Sequence, residues 1–386
     1  MPKSKSGSGR LILAAILAIL VYGVIASILG TVLPDLSTRL HLTNRQSGNI
    51  ALGQALGLIV ASISVGPLID KRGKKLALLL GLGLIAIALF ALPHAPTFEI
   101  VAFLFFLLGA GGGIVVTAAN ALASDVGEDR RASVLNLLNL FFGLGGLITP
   151  FLAANLFSGD AIRLSLFAGI LAVVALAVQV VTPMPVPVPS AAGVPAKGEG
   201  LLSRPVLYVL ALFLFLYVAC EVGVWNWLPK YLIGRGIDQT RALNILSLGF
   251  ALGLLVGRVV ISRVLIKVRA VTVTLGSSIL MSVTTYVMLQ TGDPTMAGIA
   301  VFCAGLAMAP VFPTTLAMVG DAFPRSPATA MGIVITCGWI GLAVSSPIIG
   351  SFAQSASLGT ALLLIPAFSF LMIFVNLALR PMLRKA

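Results

Sequence analysis

The chain has 386 residues, of which 59% are hydrophobic and 10% are charged, and its mean hydropathy is +1.09. Soluble domains carry about 25% charged residues, so this composition excludes a soluble enzyme or binding domain and indicates a membrane protein. The formal charge of +13 does not indicate a nucleic-acid partner, because the basic residues lie between long apolar segments and are not interleaved with aromatic residues.

The N-terminus begins with a basic stretch, MPKSKSGSGR, and continues as an apolar run. This run is too long for a signal peptide and lacks a small-residue cleavage pattern, so we expect it to remain as a membrane-spanning helix. The three cysteines fall inside apolar runs and show neither metal-ligand spacing nor a disulfide framework. We therefore expect no metal and no cofactor.

Apolar runs long enough to cross a bilayer follow one another along nearly the whole chain, since a core of roughly 30 Å needs about 20 helical residues. They predict an all-α membrane protein with twelve membrane-spanning helices. We place spans one to twelve at residues 11–33, 45–67, 75–93, 98–122, 132–157, 161–182, 205–232, 240–262, 270–290, 294–319, 329–354 and 356–380.

The basic residues between the spans orient the chain. With both termini in the cytoplasm, nineteen Lys and Arg residues fall on the inner side and six on the outer side. Cytoplasmic loops carry an excess of Lys and Arg, so this imbalance predicts a multi-pass protein of the inner or plasma membrane with both ends cytoplasmic.

A Pro/Gly/Ala-rich segment, PMPVPVPSAAGVPAKGEG at 183–200, separates the first six spans from the last six and is typical of an extended linker. It predicts an N-terminal six-helix bundle at 1–182, a cytoplasmic linker at 183–204 and a C-terminal six-helix bundle at 205–386.

The second half of the chain repeats residues of the first half. Five residues recur 195 positions later: Tyr22 as Tyr217, Pro34 as Pro229, Asn49 as Asn244, Gly143 as Gly338 and Gly146 as Gly341. Two more recur 196 positions later: Gly109 as Gly305 and Asp125 as Asp321.

Two pseudo-symmetric halves can rock about a site at the midplane, which is the geometry of alternating access. Transport is therefore the function we expect first. A channel needs a pore of backbone carbonyls or charged rings, and an enzyme needs clustered acids, bases or metal ligands. The sequence offers neither within its spans.

The loop after span two carries a motif, GPLIDKRGKK at 66–75. It resembles the cytoplasmic signature of the major facilitator superfamily, which is a Gly, three residues, an Asp, a basic residue, any residue, a Gly and two basic residues. The resemblance implies that Asp70, with Arg72 and Lys74, latches the inner side of the two halves. The alternative is that these charges serve topology alone.

Two further inner loops carry opposite charges. Asp125 with Arg130 or Arg131, and Asp321 with Arg325, are candidate inner-gate ion pairs; solvated loop charge is the alternative. The second-half counterpart of the signature, residues 257–269, lacks the Asp and the Gly.

Three segments resemble the fucose-galactose-glucose:proton symporter group of this superfamily. They are YVACEVGVWNWLPKYL in span seven, FFGLGGLITP in span five and APVFPTT in span ten. The resemblance implies proton-coupled sugar transport. One departure weighs against it: the acids common in the first and fourth spans of sugar symporters are missing. Drug antiporters have Gly directly before the span-five proline, where this chain has Thr149, and this difference disfavours efflux.

One acidic residue, Glu221, lies near the middle of a span. An ionised carboxylate at the bilayer centre costs roughly 2.5–3.5 kcal/mol on insertion scales, so it must face a cavity, meet a partner or take up a proton. We expect no Lys or Arg at mid-membrane to neutralise it. Glu221 is therefore the candidate proton-coupling group, substrate anchor or both.

Tyr217, Glu221 and Trp225 recur every fourth residue and share one side of span seven, with Asn226 toward its outer end. Hydrogen-bonding groups and an aromatic ring suit a sugar, although aromatic residues near a helix end also form interfacial belts. Further candidate substrate contacts are polar or aromatic residues of other spans, which alternatively hold helices together: Gln54, Asn120, Asn139, Thr314 and Trp339.

The sequence thus predicts a monomeric secondary transporter that moves a small polar solute by proton symport, with a monosaccharide as the first candidate. Its partners are the solute, the proton and the lipid bilayer. The alternative is a proton-coupled exporter of drug-like amphipathic compounds. A non-transporting receptor or scaffold gives no reason for the signature around Asp70.

Overall fold

The computed structural model describes residues 5–126, 131–184, 201–265, 267–323 and 327–385. Within these residues the regular structure is helical, and twelve segments are long and apolar enough to cross a membrane, which confirms the all-α fold. The helices are α1 Lys5–Arg39, α2 Asn44–Arg72, α3 Lys74–Ala91, α4 Phe98–Val126, α5 Arg131–Asn155, α6 Ala161–Val181, α7 Pro205–Gly234, α8 Gln239–Asn244, α9 Leu252–Val264, α10 Ala270–Gln290, α11 Pro294–Met308, α12 Val311–Ala322, α13 Pro327–Ser355, α14 Leu358–Leu362 and α15 Leu364–Lys385.

Three spans that we predicted as single helices are interrupted. Span ten breaks between α11 and α12 at Pro310, and span twelve breaks between α14 and α15 at Leu363, three residues before Pro366. Each proline lacks the N–H that would continue the helical ladder. Span eight consists of α8, a π-helical turn at Ile245–Ala251 and α9.

The chain divides into two compact units, residues 1–42 with 53–191 and residues 43–52 with 192–386. The beginning of α2 therefore belongs to the second unit. There Asn44 Nδ2 donates to the Ala353 carbonyl over 3.5 Å. A Cβ atom at Gly48 would lie 2.5 Å from the carbonyl oxygen of Ser346, so this packing needs a glycine.

The sequence repeat reappears in the packing of glycines against helix backbones inside each unit. Small residues allow membrane helices to approach this closely. In the first unit, a Cβ at Gly57 would collide with the carbonyl of Phe106, and one at Gly109 with the carbonyl of Gln54. In the second unit, 196 residues later, a Cβ at Gly253 would collide with the carbonyl of Phe302, and one at Gly305 with the carbonyl of Phe250.

The predicted linker begins where α6 ends, and that end is completed by a side chain from another helix. Thr182 and then Pro183 follow α6, so the helix stops without a glycine cap. Lys75 Nζ, from the first turn of α3, donates to the carbonyls of Val180 at 2.7 Å and Thr182 at 3.1 Å. A lysine ammonium thus satisfies carbonyls that the helix leaves unpaired.

The far end of the predicted linker shows the same arrangement in the second unit. Helix α12 stops at Ala322 and is followed by Phe323 and a proline, again without a glycine. Arg204, the residue before α7, donates from Nη1 to the Ala322 carbonyl over 2.9 Å, and its guanidinium carbon lies 4.9 Å from the centroid of the Phe323 ring. The start of span seven is thereby joined to the end of span ten.

Candidate functional site

The candidate site is built on α7 around Glu221. This side chain is half-buried, and the Tyr217 hydroxyl and the Trp225 indole lie close enough to its carboxylate to interact with it. The three residues are spaced one helical turn apart, so their side chains share one face. Tyr217 is 1% exposed, and its hydroxyl is therefore kept away from competing water.

Arg258 lies within reach of Glu221 for a direct electrostatic interaction. It belongs to α9 inside the eighth membrane span, Gln239–Ile261. Our expectation that no Lys or Arg lies at mid-membrane stays a prediction, because Arg258 lies within about one helical turn of the end of this segment; we had not expected it to interact with Glu221. A cation inside a span is costly unless it meets a counter-charge, and Glu221 supplies one.

Trp225 also contacts Phe250, which lies in the π-helical turn of span eight. The two ring centroids are 5.2 Å apart with an interplanar angle of 79°, an edge-to-face contact. Phe250 is fully buried, whereas Trp225 is half-buried. The indole thus packs against Phe250 through its ring and interacts with Glu221.

Toward the outer end of α7 the polar side chains bind other helices. Asn226 is 5% exposed and donates from Nδ2 to Ser346 Oγ of α13 over 3.1 Å. Lys230 Nζ donates to Ser47 Oγ over 3.1 Å and lies 5.9 Å from the centroid of the Trp227 ring. These contacts connect α7 with α13 and with the segment 43–52.

The remaining predicted solute contacts are divided between the two units. In the second unit, Thr314 is 1% exposed and its hydroxyl has no hydrogen-bond partner among the described residues, while Trp339 is half-buried on α13. In the first unit, Gln54 Nε2 donates to the Ile25 carbonyl over 3.1 Å, Asn120 is half-buried and Asn139 is exposed.

The predicted inner gate stays a prediction. The side chains of Asp70, Asp125, Arg131 and Arg325 lie outside the described residues. Arg72 and Asp321 are exposed, and Lys74 is half-buried. In the described part of the chain, no three His, Cys, Asp or Glu side chains come together as a metal site would require.

Several known proteins resemble the chain along most of its length. Bypass of stop codon protein 6 from Saccharomyces cerevisiae is 22% identical over 386 residues, which cover 90% of this chain and 78% of that protein. Protein TsgA from Escherichia coli is 24% identical over 354 residues, which cover 88% of each chain.

Solved structures share the fold at low sequence identity. The nucleoside transporter NupG superposes with a TM-score of 0.83 at 12% identity, covering 97% of this chain and 100% of that one. A D-xylose-proton symporter superposes with a TM-score of 0.79 at 15% identity, covering 98% of this chain and 99% of that one. The Escherichia coli fucose:proton symporter FucP superposes with a TM-score of 0.64 at 20% identity, covering 95% of this chain and 97% of that one.

The sequence model of the Major Facilitator Superfamily matches residues 15–345 and 236–385 of the chain. This match includes the signature loop, the glycine-packed helices and the site around Glu221. The chain therefore belongs to the Major Facilitator Superfamily, a family of multi-pass membrane transporters.

Proposed function

We propose that the chain is a proton-coupled symporter of a small polar solute, with a monosaccharide as the best candidate, and that Glu221 is its proton-binding group. The observation that carries the proposal is the polar cluster of Glu221, Arg258, Tyr217 and Trp225 inside otherwise apolar spans. Titratable groups inside a membrane span mark ion or substrate pathways by default. The protein lies in the inner or plasma membrane as a monomer with both termini cytoplasmic, since the basic residues favour that side.

The cluster suggests how a proton is coupled to the solute. In the charged state, Glu221 neutralises Arg258 and holds the Tyr217 and Trp225 donors. A proton that binds one carboxylate oxygen removes the negative charge and releases Arg258 from its counter-charge. The two donors and the guanidinium then become available to solute oxygens. Release of the proton on the other side of the membrane restores the ion pair.

A monosaccharide fits these groups because its hydroxyls need donors and acceptors and its apolar face packs on aromatic rings. Trp225 and Trp339 are half-buried aromatic residues of the second unit. Gln54, Asn120 and Asn139 of the first unit and Thr314 and Asn226 of the second are further candidate contacts. Similarity in fold to a D-xylose-proton symporter and to the fucose:proton symporter supports this solute class by analogy.

A proton-coupled exporter of amphipathic compounds is the second candidate. The edge-to-face pair of Trp225 and Phe250 beside a carboxylate favours it, because aromatic rings and an acid together bind hydrophobic cations. In that case the solute cation displaces the proton from Glu221. The two candidates differ in the direction in which proton and solute move relative to each other.

We further propose that Asp70, Arg72 and Lys74, together with Asp125, Arg131, Asp321 and Arg325, close the inner side as the family signature implies. The bundles at 1–182 and 205–386 then rock about the site while the segment 183–204 connects them. Charge reversal of Asp70 to Lys is the direct test, because repulsion from Arg72 and Lys74 is expected to abolish transport while the protein remains folded.

The decisive experiment uses proteoliposomes with a pH-sensitive dye inside. A panel of monosaccharides is added outside to the wild type, to Glu221→Gln and, as a matched polar variant, to Asn155→Ala, an exposed residue at the end of α5. Sugar-induced acidification that disappears only in Glu221→Gln is the expected result. The symporter is wrong if no sugar produces acidification and an imposed proton gradient instead drives hydrophobic cations across the membrane, which would support the exporter.

A further inference from the structure

Spans nine and twelve, formed by α10 and α15, are joined by two hydrogen bonds. Ser282 Oγ donates to the Pro366 carbonyl over 3.5 Å, and Asn376 Nδ2 donates to Thr274 Oγ1 over 2.7 Å. Residue numbers rise along one helix as they fall along the other, so the two helices are antiparallel. The Asn376 bond lies nearer to the start of α10, which is the predicted inner side of the membrane.

Arg380 lies at the inner end of this contact. It stands one helical turn beyond Asn376 on the same face of α15, at about the level of Ala270, which is one turn before Thr274. Arg380 is half-buried and lies three residues inside the end of the twelfth membrane span, Leu358–Leu383. Among the described residues its buried Nε atom has no hydrogen-bond partner and its guanidinium forms no ion pair. A cation inside a span needs a counter-charge.

The neighbouring spans offer no acid for this purpose. Residues 239–292 and 322–386, which include spans eight, nine, eleven and twelve, contain no Asp or Glu. Asp321, at the inner end of α12, is exposed and is not paired with Arg380. The loop before span nine instead adds the exposed cations Arg263, Lys267 and Arg269. A counter-charge for Arg380 therefore has to come from outside the chain.

The first half uses its corresponding cation differently. Spans three and six are the counterparts of spans nine and twelve, and there Lys75 of α3 donates to the carbonyls of Val180 and Thr182 at the end of α6. In the second half, α15 continues past the level of Arg380 to Lys385. No helix end thus stands beside Arg380 to accept its hydrogen bonds as α6 accepts those of Lys75.

The start of α10, at the same level, is open to an anion. Arg269 is its N-cap residue, and no side chain accepts from the first N–H groups of the helix. Four helices that start on the predicted outer side, α6, α8, α11 and α14, have side-chain caps from Asp160, Asp238, Asp293 and Ser357. Uncapped N–H groups and the helix dipole attract phosphate, so they reinforce the charge of Arg380.

We infer that the inner end of the contact between α10 and α15 binds the headgroup phosphate of an anionic phospholipid, with the Arg380 guanidinium and the uncapped start of α10 as donors. Basic pockets between membrane helices on the cytoplasmic side bind such headgroups. A lipid suits the place because Phe374 and Leu377, within two turns of Arg380, are exposed apolar side chains against which acyl chains can pack. The inference does not depend on the proposed transport.

The first test compares melting temperatures in nanodiscs of phosphatidylcholine with and without phosphatidylglycerol. We expect the wild type to melt higher with phosphatidylglycerol. Arg380→Gln should lose this increase and melt close to the wild type in phosphatidylcholine alone, whereas Arg380→Lys, which keeps the charge, should retain part of it. Arg10→Gln is the matched control, because Arg10 is an exposed arginine at the inner end of span one, and it should keep the whole increase.

The second test measures binding directly by native mass spectrometry of the delipidated protein. Phosphatidylglycerol should bind about fivefold more weakly to Arg380→Gln than to the wild type, the loss expected for one cation at the membrane surface. Arg10→Gln should bind it as the wild type does. Inorganic phosphate, added to the protein in detergent, should leave the melting temperature unchanged. A rise equal to that from phosphatidylglycerol would identify a free anion as the ligand and contradict the lipid.

Two further results would overturn the inference. Equal stabilisation of the wild type and Arg380→Gln by phosphatidylglycerol would place the lipid effect elsewhere on the protein. A fall in the melting temperature of Arg380→Gln by the same amount in both lipid mixtures would mean that the acceptor of Arg380 belongs to the protein itself. Asn376, whose side-chain oxygen is also buried without a partner among the described residues, would then be the first candidate.

Discussion

Spans one and two and spans seven and eight are copies of one helix pair, yet only the second pair carries charge at its centre. Ala26 and Ser62 stand where the second pair has Glu221 and Arg258, at offsets of 195 and 196 residues. The glycine contacts that hold the two pairs to their neighbours are the same. The comparison teaches that the repeat preserves the packing surface, whereas the candidate chemistry belongs to one half.

The largest expected effect comes from breaking the charge pair on one side only. Arg258→Gln removes the cation that interacts with the half-buried Glu221 inside a span, where an uncompensated charge is costly. We expect a large fall in melting temperature in detergent and complete loss of transport.

The double variant Glu221→Gln/Arg258→Gln is the control for this prediction. It resembles the uncharged first half, so it should melt well above Arg258→Gln while remaining inactive. A double variant no more stable than Arg258→Gln would show that the two side chains do not form a pair.

The next effect tests whether glycines at equivalent positions of the two halves pack in the same way. Gly109→Ala and Gly305→Ala each place a methyl group against a helix backbone, at the carbonyls of Gln54 and Phe250. Overpacking costs about 1–3 kcal/mol, and we expect similar losses in both variants by thermal unfolding. Gly276→Ala meets no atom within 4 Å and should be neutral; a marked difference between the first two variants would contradict the packing repeat.

A smaller effect is expected at the ends of the predicted linker. Lys75→Gln and Arg204→Gln each remove a charged donor from the last carbonyls of a helix, where partly exposed bonds contribute about 0.5–1.5 kcal/mol. Hydrogen exchange should rise locally, at residues 178–184 for Lys75→Gln and at 201–208 for Arg204→Gln.

Arg269→Gln is the matched control for Arg204→Gln. Arg269 also stands immediately before a span that starts on the predicted inner side, but it is exposed. Its replacement should leave exchange unchanged. Equal exchange in Arg204→Gln and Arg269→Gln would mean that the contact with the Ala322 carbonyl protects nothing.

The smallest effect concerns Asn226. Its hydrogen bond to Ser346 Oγ is one neutral interhelical bond, which contributes about 0.6 kcal/mol in membrane proteins. A double-mutant cycle of Asn226→Ala and Ser346→Ala, followed by thermal unfolding, should give a coupling of that order. Solute affinity that falls in Asn226→Ala but not in Ser346→Ala would instead support the predicted solute contact.

The spans were predictable from the sequence because a bilayer demands long apolar helices, and the match of Gly109 to Gly305 revealed the repeat. The spacing of Tyr217, Glu221 and Trp225 likewise predicted a shared face. Arg258 was missed because a run of basic residues follows it, so we assigned all of them to one inner loop. Its place within the apolar segment that contains Gly253 and Gly257 was the available signal.

The π-helical turn of span eight was also not predicted, although the sequence contained its trace. Asn244 stands 195 residues after Asn49, and Gly305 stands 196 residues after Gly109, so the second half contains one extra residue between these two positions. An offset alone gives no location for the extra residue and no way to tell a loop insertion from one within a helix. Only the backbone hydrogen bond from Leu252 to Ser247 identifies it.

The ends of α6 and α12 have a practical consequence for protein engineering. Lys75 and Arg204 bond to the last carbonyls of these helices from within their own units, so these hydrogen bonds do not require residues 185–200. A protease site, a fluorescent protein or a break between two separately expressed chains should therefore be accepted at residues 188–195. Each half would then be purified and labelled independently before reassembly.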